Sequence, residues 1–142
     1  MFRQITDAVF ASPQIGTEAV AEAKALGIVR IVNNRPEGES EDQTSGAEIE
    51  AAARAAGIDY VAIPVTHAGF SQAQVDAMAQ ALDTAGGPVL AYCRSGTRST
   101  LLWALARAKA GDSPAVIASH AAAAGYDVGP VRQLIEMLAA GK

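Results

Sequence analysis

The sequence predicts an α/β fold: a mostly parallel central sheet flanked by helices. Short β-branched or apolar runs alternate with alanine-rich stretches of helical length, the pattern of strand–helix–strand units. Glycine, proline or a capping residue bounds nearly every run. A chain of 142 residues, half of them apolar, fits one domain with a core of useful size.

The elements follow in order. Val9-Phe10-Ala11 reads as a short strand, and a helix spans Thr17 to Leu26, closed by Gly27. Ile28 to Val32 is apolar and β-branched enough for a buried strand. Asn33 to Thr44 is polar and aperiodic, hence a loop, with Glu39, Glu41 and Asp42 either solvated or able to swing in as an acid. Ser45 and Glu48 form a capping box for a helix that ends at Gly57. Tyr60 to Val65 is the next strand, and Thr66-His67-Ala68-Gly69 a loop. Ser71 and Gln74 cap a helix running to Thr84; Pro88 to Tyr92 is a strand too short to be a helix. Helices follow from Ser99 to Ala110, from Ser113-Pro114 to Gly125, and from Pro130 to Ala139. Tyr60, Trp103 and His120 read as structural residues.

Composition narrows the partners. A net charge of −4, with no basic patch interleaved with aromatics, argues against nucleic acid. No apolar run is long enough to span a membrane. The single cysteine fits a reducing compartment, so a cytoplasmic location is expected. No cysteine–histidine cluster has metal-ligand spacing and no glycine-rich nucleotide motif is present, so neither metal nor cofactor is implied.

The chemistry concentrates in Cys93-Arg94-Ser95-Gly96-Thr97-Arg98-Ser99, between a buried strand and a helix start. Ligands of open α/β sheets collect at such strand ends, and consecutive amides at a helix N-terminus make an anion site. Gly96 lets the backbone curl. Arg94 and Arg98 crowd a helix start whose dipole is already positive, which is sensible only if an anion binds there. Arg94, Ser95, Gly96, Thr97 and Arg98 are therefore the candidate anion cradle. A thiol at its base is favoured as the nucleophilic thiolate, and Ser99 is placed to donate to it. Asn34 and Arg35, at the end of the second predicted strand, are candidates to line the pocket, and His67 to protonate a leaving group.

The stretches Ser12-Pro13-Gln14, Val32-Asn33-Asn34-Arg35-Pro36, Ile63-Pro64-Val65 and Ala91 to Ser99 together resemble a bacterial phosphatase-like domain, found alone or fused ahead of metallo-β-lactamase-like hydrolases. The resemblance implies the fold of the cysteine-dependent tyrosine and dual-specificity phosphatases. It implies that Cys93 attacks phosphorus, Arg98 clamps the phosphoryl oxygens and Ser99 supports the departing thiolate, with a small anionic substrate or a phosphorylated protein as partner. Three departures keep alternatives open. Four residues separate Cys93 from Arg98, one fewer than in those phosphatases and the length found in single-domain rhodaneses. A sulfurtransferase carrying a Cys93 persulfide is thus the second expectation. Tyr92 replaces a usual histidine, which removes one support for the thiolate, and the loop after Val65 lacks the usual aspartate, which leaves room for a catalytically silent anion-binding module.

Overall fold

The computed structural model describes residues 2–141. Its strands are β1 (Arg3–Thr6), β2 (Val9–Ser12), β3 (Arg30–Asn33), β4 (Asp59–Ala62) and β5 (Val89–Tyr92). Its α-helices are α1 (Ala19–Ala25), α2 (Gly46–Ala55), α3 (Gln72–Asp83), α4 (Thr97–Ala110), α5 (Pro114–Ala123) and α6 (Arg132–Ala140). The sheet order is β1-β2-β5-β3-β4; β1 is antiparallel to β2 and every other pair is parallel. This is the α/β architecture that the alternation of runs predicts.

The differences from the sequence reading have local causes. β1 went unseen because only Ile5 of Arg3-Gln4-Ile5-Thr6 is buried: it is an edge strand, and an edge strand needs little hydrophobic pattern. β4 stops at Ala62 rather than Val65 because Pro64 has no amide to give the ladder, although Ile63 and Val65 still donate to the Asn33 and Asn34 carbonyls. The expected capping box at Ser45 is half formed. Ser45 Oγ accepts from the Glu48 amide and donates to the Glu48 carboxylate, which therefore does not reach the Ser45 amide, and the Glu37 carboxylate accepts from the next amide, that of Gly46. The box at Ser71 and Gln74 is complete. The last helix opens with a 3₁₀ turn over Gly129–Val131.

Side-chain alternation on β5 splits the core in two. Val89 and Ala91 join the apolar cluster under α3 to α6, whereas Leu90 and Tyr92 join the one under α1 and α2. The central element is α4, which packs against β5, α3, α5 and α6. Its run from Leu101 to Ala106 is buried all round, not on the single face its leucines suggest. Alanines at 104, 106 and 108 let the neighbouring helices approach. The N-terminus of α4 is therefore rigidly set at the carboxyl end of the central strand β5, beside the end of β3. No helix among the described residues is long and apolar enough to cross a membrane.

Candidate active site

The loop Cys93 to Gly96 joins β5 to α4 and is pinned on two sides. The Cys93 amide donates to the Ser12 carbonyl (3.3 Å) and the Gln14 amide to the Arg94 carbonyl (3.3 Å), which ties it to the chain beyond β2. The Asn34 amide donates to the Tyr92 carbonyl (2.8 Å), which ties it to the end of β3. Ser12-Pro13-Gln14 and Asn33-Asn34-Arg35 thus brace the loop from below.

Gly96 is the N-cap of α4, with φ of 91°, a left-handed conformation that favours glycine. That geometry turns its amide back onto the Cys93 sulfur, at 3.1 Å from Sγ. A Cβ here would also lie 2.2 Å from Tyr126 Oη, so the position excludes side chains twice over. Tyr126, which follows α5, donates from its hydroxyl to the Ser95 carbonyl (3.3 Å). Burial pushes the Tyr126 phenol pKa up, so it serves here as a neutral donor. Thr100 Oγ1 closes the first turn of α4 on the Gly96 carbonyl at 2.9 Å.

Arg98 is the electrostatic centre. A guanidinium has five N–H donors. Nη1 spends both of its own, on Glu39 Oε2 (2.7 Å) and the Val65 carbonyl (2.6 Å); Nη2 spends one on Glu39 Oε1 (2.8 Å). The Nε–H and the second Nη2–H remain, and these two share one edge of the plane, a ready-made fork for two oxygens of an anion. The Glu39 hydrogen bonds foremost, with a further contribution from the nearby Cys93 sulfur, push the Arg98 pKa up.

Glu39 corrects the sequence reading of the polar loop. It is paired with two arginines rather than free in solvent, and it is not a proton donor. Its carboxylate bridges Arg98 and Arg35, and the Arg98 hydrogen bond, opposed by partial burial and reinforced by Arg35, lowers its pKa to about 2. A group so acidic holds no proton to give near neutral pH. Asp42 is likewise held low, first by its bond from Ser40. The signal that could have found Glu39 is charge balance: two arginines beside one helix N-terminus call for a nearby carboxylate.

A cleft of about 430 Å³ opens at the loop, lined by residues that include His67, Phe70, Arg94, Ser95, Thr97, Arg98 and Leu101. His67 and Arg94 are exposed on its wall, and Phe70 and Leu101 give it an apolar side. Cys93 has no exposed surface and lies beneath the loop. Ser99 is buried beside the loop, but its Oγ has no partner among the described residues, so the bond to the Cys93 sulfur expected from the sequence is not formed here. Asn34 and Arg35 do not line this cleft. Asn34 donates from Nδ2 to the Ile63 carbonyl, and Arg35, only 4% exposed, spends its nitrogens on Glu39, Gln14 and Ser40. Both are braces behind the site. Tyr92 is buried against Leu90 and its neighbours, and burial pushes its phenol pKa up, so it takes no proton-transfer role.

Comparison with known proteins gives the family and the fold. The family model for the phosphatase-like domain of beta-lactamase hydrolase-like protein matches residues 1–110. A beta-lactamase hydrolase-like protein of Xylella fastidiosa (strain Temecula1) is 36% identical over 101 residues, covering 71% of this chain and 23% of that protein. The chain therefore spans under a quarter of that relative's length. Among solved structures, a candidate phosphatase from Neisseria meningitidis Z2491 is 33% identical, with a TM-score of 0.84 and 96% of each chain covered. TpbA of P. aeruginosa, solved in complex with phosphotyrosine, shares the fold at 16% identity, with a TM-score of 0.65 over 99% of this chain and 91% of its own. The chain belongs to the phosphatase-like domain family of the beta-lactamase hydrolase-like proteins.

Proposed function

We propose that this domain hydrolyses phosphomonoesters, aryl phosphates first, through a phosphocysteine on Cys93. The carrying observation is the free Nε/Nη2 edge of Arg98, fixed by Glu39 and Val65 beside the Cys93 sulfur and the N-terminus of α4. In this reading two phosphoryl oxygens sit on that fork while the loop amides and the α4 dipole hold the rest of the charge. The thiolate attacks phosphorus, an S–P bond forms and the P–O ester bond breaks, and the leaving oxygen departs with its electron pair. Water then attacks phosphorus, a P–O bond forms as the S–P bond breaks, the water proton leaves on the inorganic phosphate and the thiolate returns, with the Gly96 amide as its donor and the unpartnered Ser99 hydroxyl free to turn onto it.

His67 is the group on the cleft wall suited to protonating a leaving oxygen, and it stands on an exposed loop. Two features favour aryl esters. A phenolate departs without a proton more readily than an alkoxide, and the Phe70–Leu101 side of the cleft suits a ring. The lone cysteine suits a reducing compartment, so the reading sets this chemistry in the cytoplasm.

The test is turnover of 4-nitrophenyl phosphate against O-phosphoserine by the wild type and Cys93→Ser. Aryl turnover that vanishes in the variant is the expected result; equal turnover by both proteins contradicts it. The short Cys93–Arg98 spacing favours one competing reading, transfer of sulfane sulfur from thiosulfate through a Cys93 persulfide. It predicts thiosulfate consumption with cyanide as acceptor and no phosphate release.

A further inference from the structure

A second cavity, of about 290 Å³ and sharing no lining residue with the Cys93 cleft, lies between the β1–β2 turn, the end of α3, and helices α4 and α5. Its walls are apolar where Ala8, Val9, Leu82, Val116 and Ile117 meet. Trp103 lies on the same wall and is only 2% exposed, yet no acceptor for its indole N–H is found among the described residues. That donor is open to whatever fills the cavity, and a ligand that brings an acceptor gains a hydrogen bond there. Arg107, one of the polar lining residues, is neutralised. Its Nε and Nη2 donate to Asp112 Oδ2 (2.8 Å) and Oδ1 (3.2 Å). Unlike the Arg98 cleft, the cavity therefore presents no arginine free of a carboxylate partner, and His120 is its other basic lining residue. Its mouth is open, since Val116 is a large apolar residue 49% exposed.

We propose that this cavity is a second ligand site, for a small, uncharged, mainly apolar molecule that presents a carbonyl or similar acceptor to the Trp103 indole. The size suits such a molecule, at the lower end of the ~300–1,000 Å³ of small-molecule pockets. The site is continuous with the catalytic loop through α4: Trp103 and Arg107 stand about 8 and 13 Å along the axis from Arg98. The proposal does not depend on the chemistry assigned to Cys93.

Trp103 is the only tryptophan, so a ¹H–¹⁵N spectrum carries one indole cross-peak that reports the site directly. Three probes of similar size separate the terms: 4-phenyl-2-butanone, butylbenzene and 3-phenylpropionate. The ketone moves the indole peak downfield and saturably. The hydrocarbon leaves it nearly in place, and the carboxylate binds about tenfold more weakly than the ketone. Val116→Phe, an exposed mouth position that the fold tolerates, narrows the entrance and weakens ketone binding while Cys93-dependent turnover is unchanged. Absence of a saturable shift overturns the proposal, as does ketone binding that ignores Val116→Phe. Tighter binding of the carboxylate, or an equal shift with the hydrocarbon, overturns the assigned ligand chemistry.

Discussion

Replacing Glu39 with glutamine removes the charge that orients Arg98 while keeping the side chain's size. The carboxylate takes three charge-assisted bonds, at 3.0 Å from Arg35 Nε and at 2.7 and 2.8 Å from Arg98. Its pKa falls from 4.5 to about 2, and at ~1.4 kcal/mol per unit this sets a ceiling of about 3.5 kcal/mol on its stabilisation. The carboxylate is partly exposed, at 18%, and solvent screening reduces the expected loss to about 1–2 kcal/mol. A depressed carboxylate pKa stabilises the fold above its unfolded value. The difference between wild type and Glu39→Gln is therefore full above pH ~4.5 and closes as pH falls through about 2. Urea melts of both proteins at neutral pH and at steps below pH 4.5 measure it. In the same variant the amide cannot accept on both sides, so the Arg98 fork loses its fixed direction. At pH 7, kcat/KM for 4-nitrophenyl phosphate drops about tenfold, or ~1.4 kcal/mol of transition-state stabilisation. If Glu39→Gln instead turned over faster and bound vanadate more tightly, Glu39 would be a competitor for the anion and not the support of Arg98.

Arg98→Lys keeps the charge but lacks the planar fork, so activity falls by at least about tenfold, with a melting temperature close to that of Glu39→Gln; an unchanged rate means no anion sits on Arg98. Gly96→Ala meets both a positive φ and Tyr126 Oη, so it costs about 1–3 kcal/mol in chemical melts and lowers activity; neutrality in both refutes the loop geometry. Iodoacetamide modifies Cys93 in the native protein and vanadate suppresses the modification; labelling only in denaturant means the buried thiol is core packing. His67→Ala slows release of poor alkyl leaving groups more than of 4-nitrophenolate, seen in the slope of log kcat/KM against leaving-group pKa; an unchanged slope removes His67 from proton transfer.

The readable parts of this fold were those with their own local signal. Val89 to Tyr92, the Ser71–Gln74 box and the glycine stops each declare an element from a few neighbouring residues. The Cys93–Ser99 loop was legible for the same reason, since strand, nucleophile, glycine and arginine lie within one turn of chain. Contacts distant in sequence were not. Glu39 reaches Arg98 across 59 positions and Tyr126 reaches Ser95 across 31, and neither has a local pattern that separates it from ordinary loop chemistry. Asn34 and Arg35 read from sequence as pocket lining but stand behind the loop, because nothing in their spacing distinguishes a brace from a wall of the cleft.

The central claim is that phosphorus passes through the Cys93 sulfur. Brief exposure of the protein to 4-nitrophenyl phosphate, acid quenching and mass spectrometry of the Cys93 peptide test it directly, with thiosulfate in a parallel sample. The account predicts a phosphoryl adduct on Cys93 in the first sample, absent when vanadate is present, and an unmodified thiol in the second. A persulfide on Cys93 from thiosulfate, with no phosphoryl adduct from the ester, would contradict it.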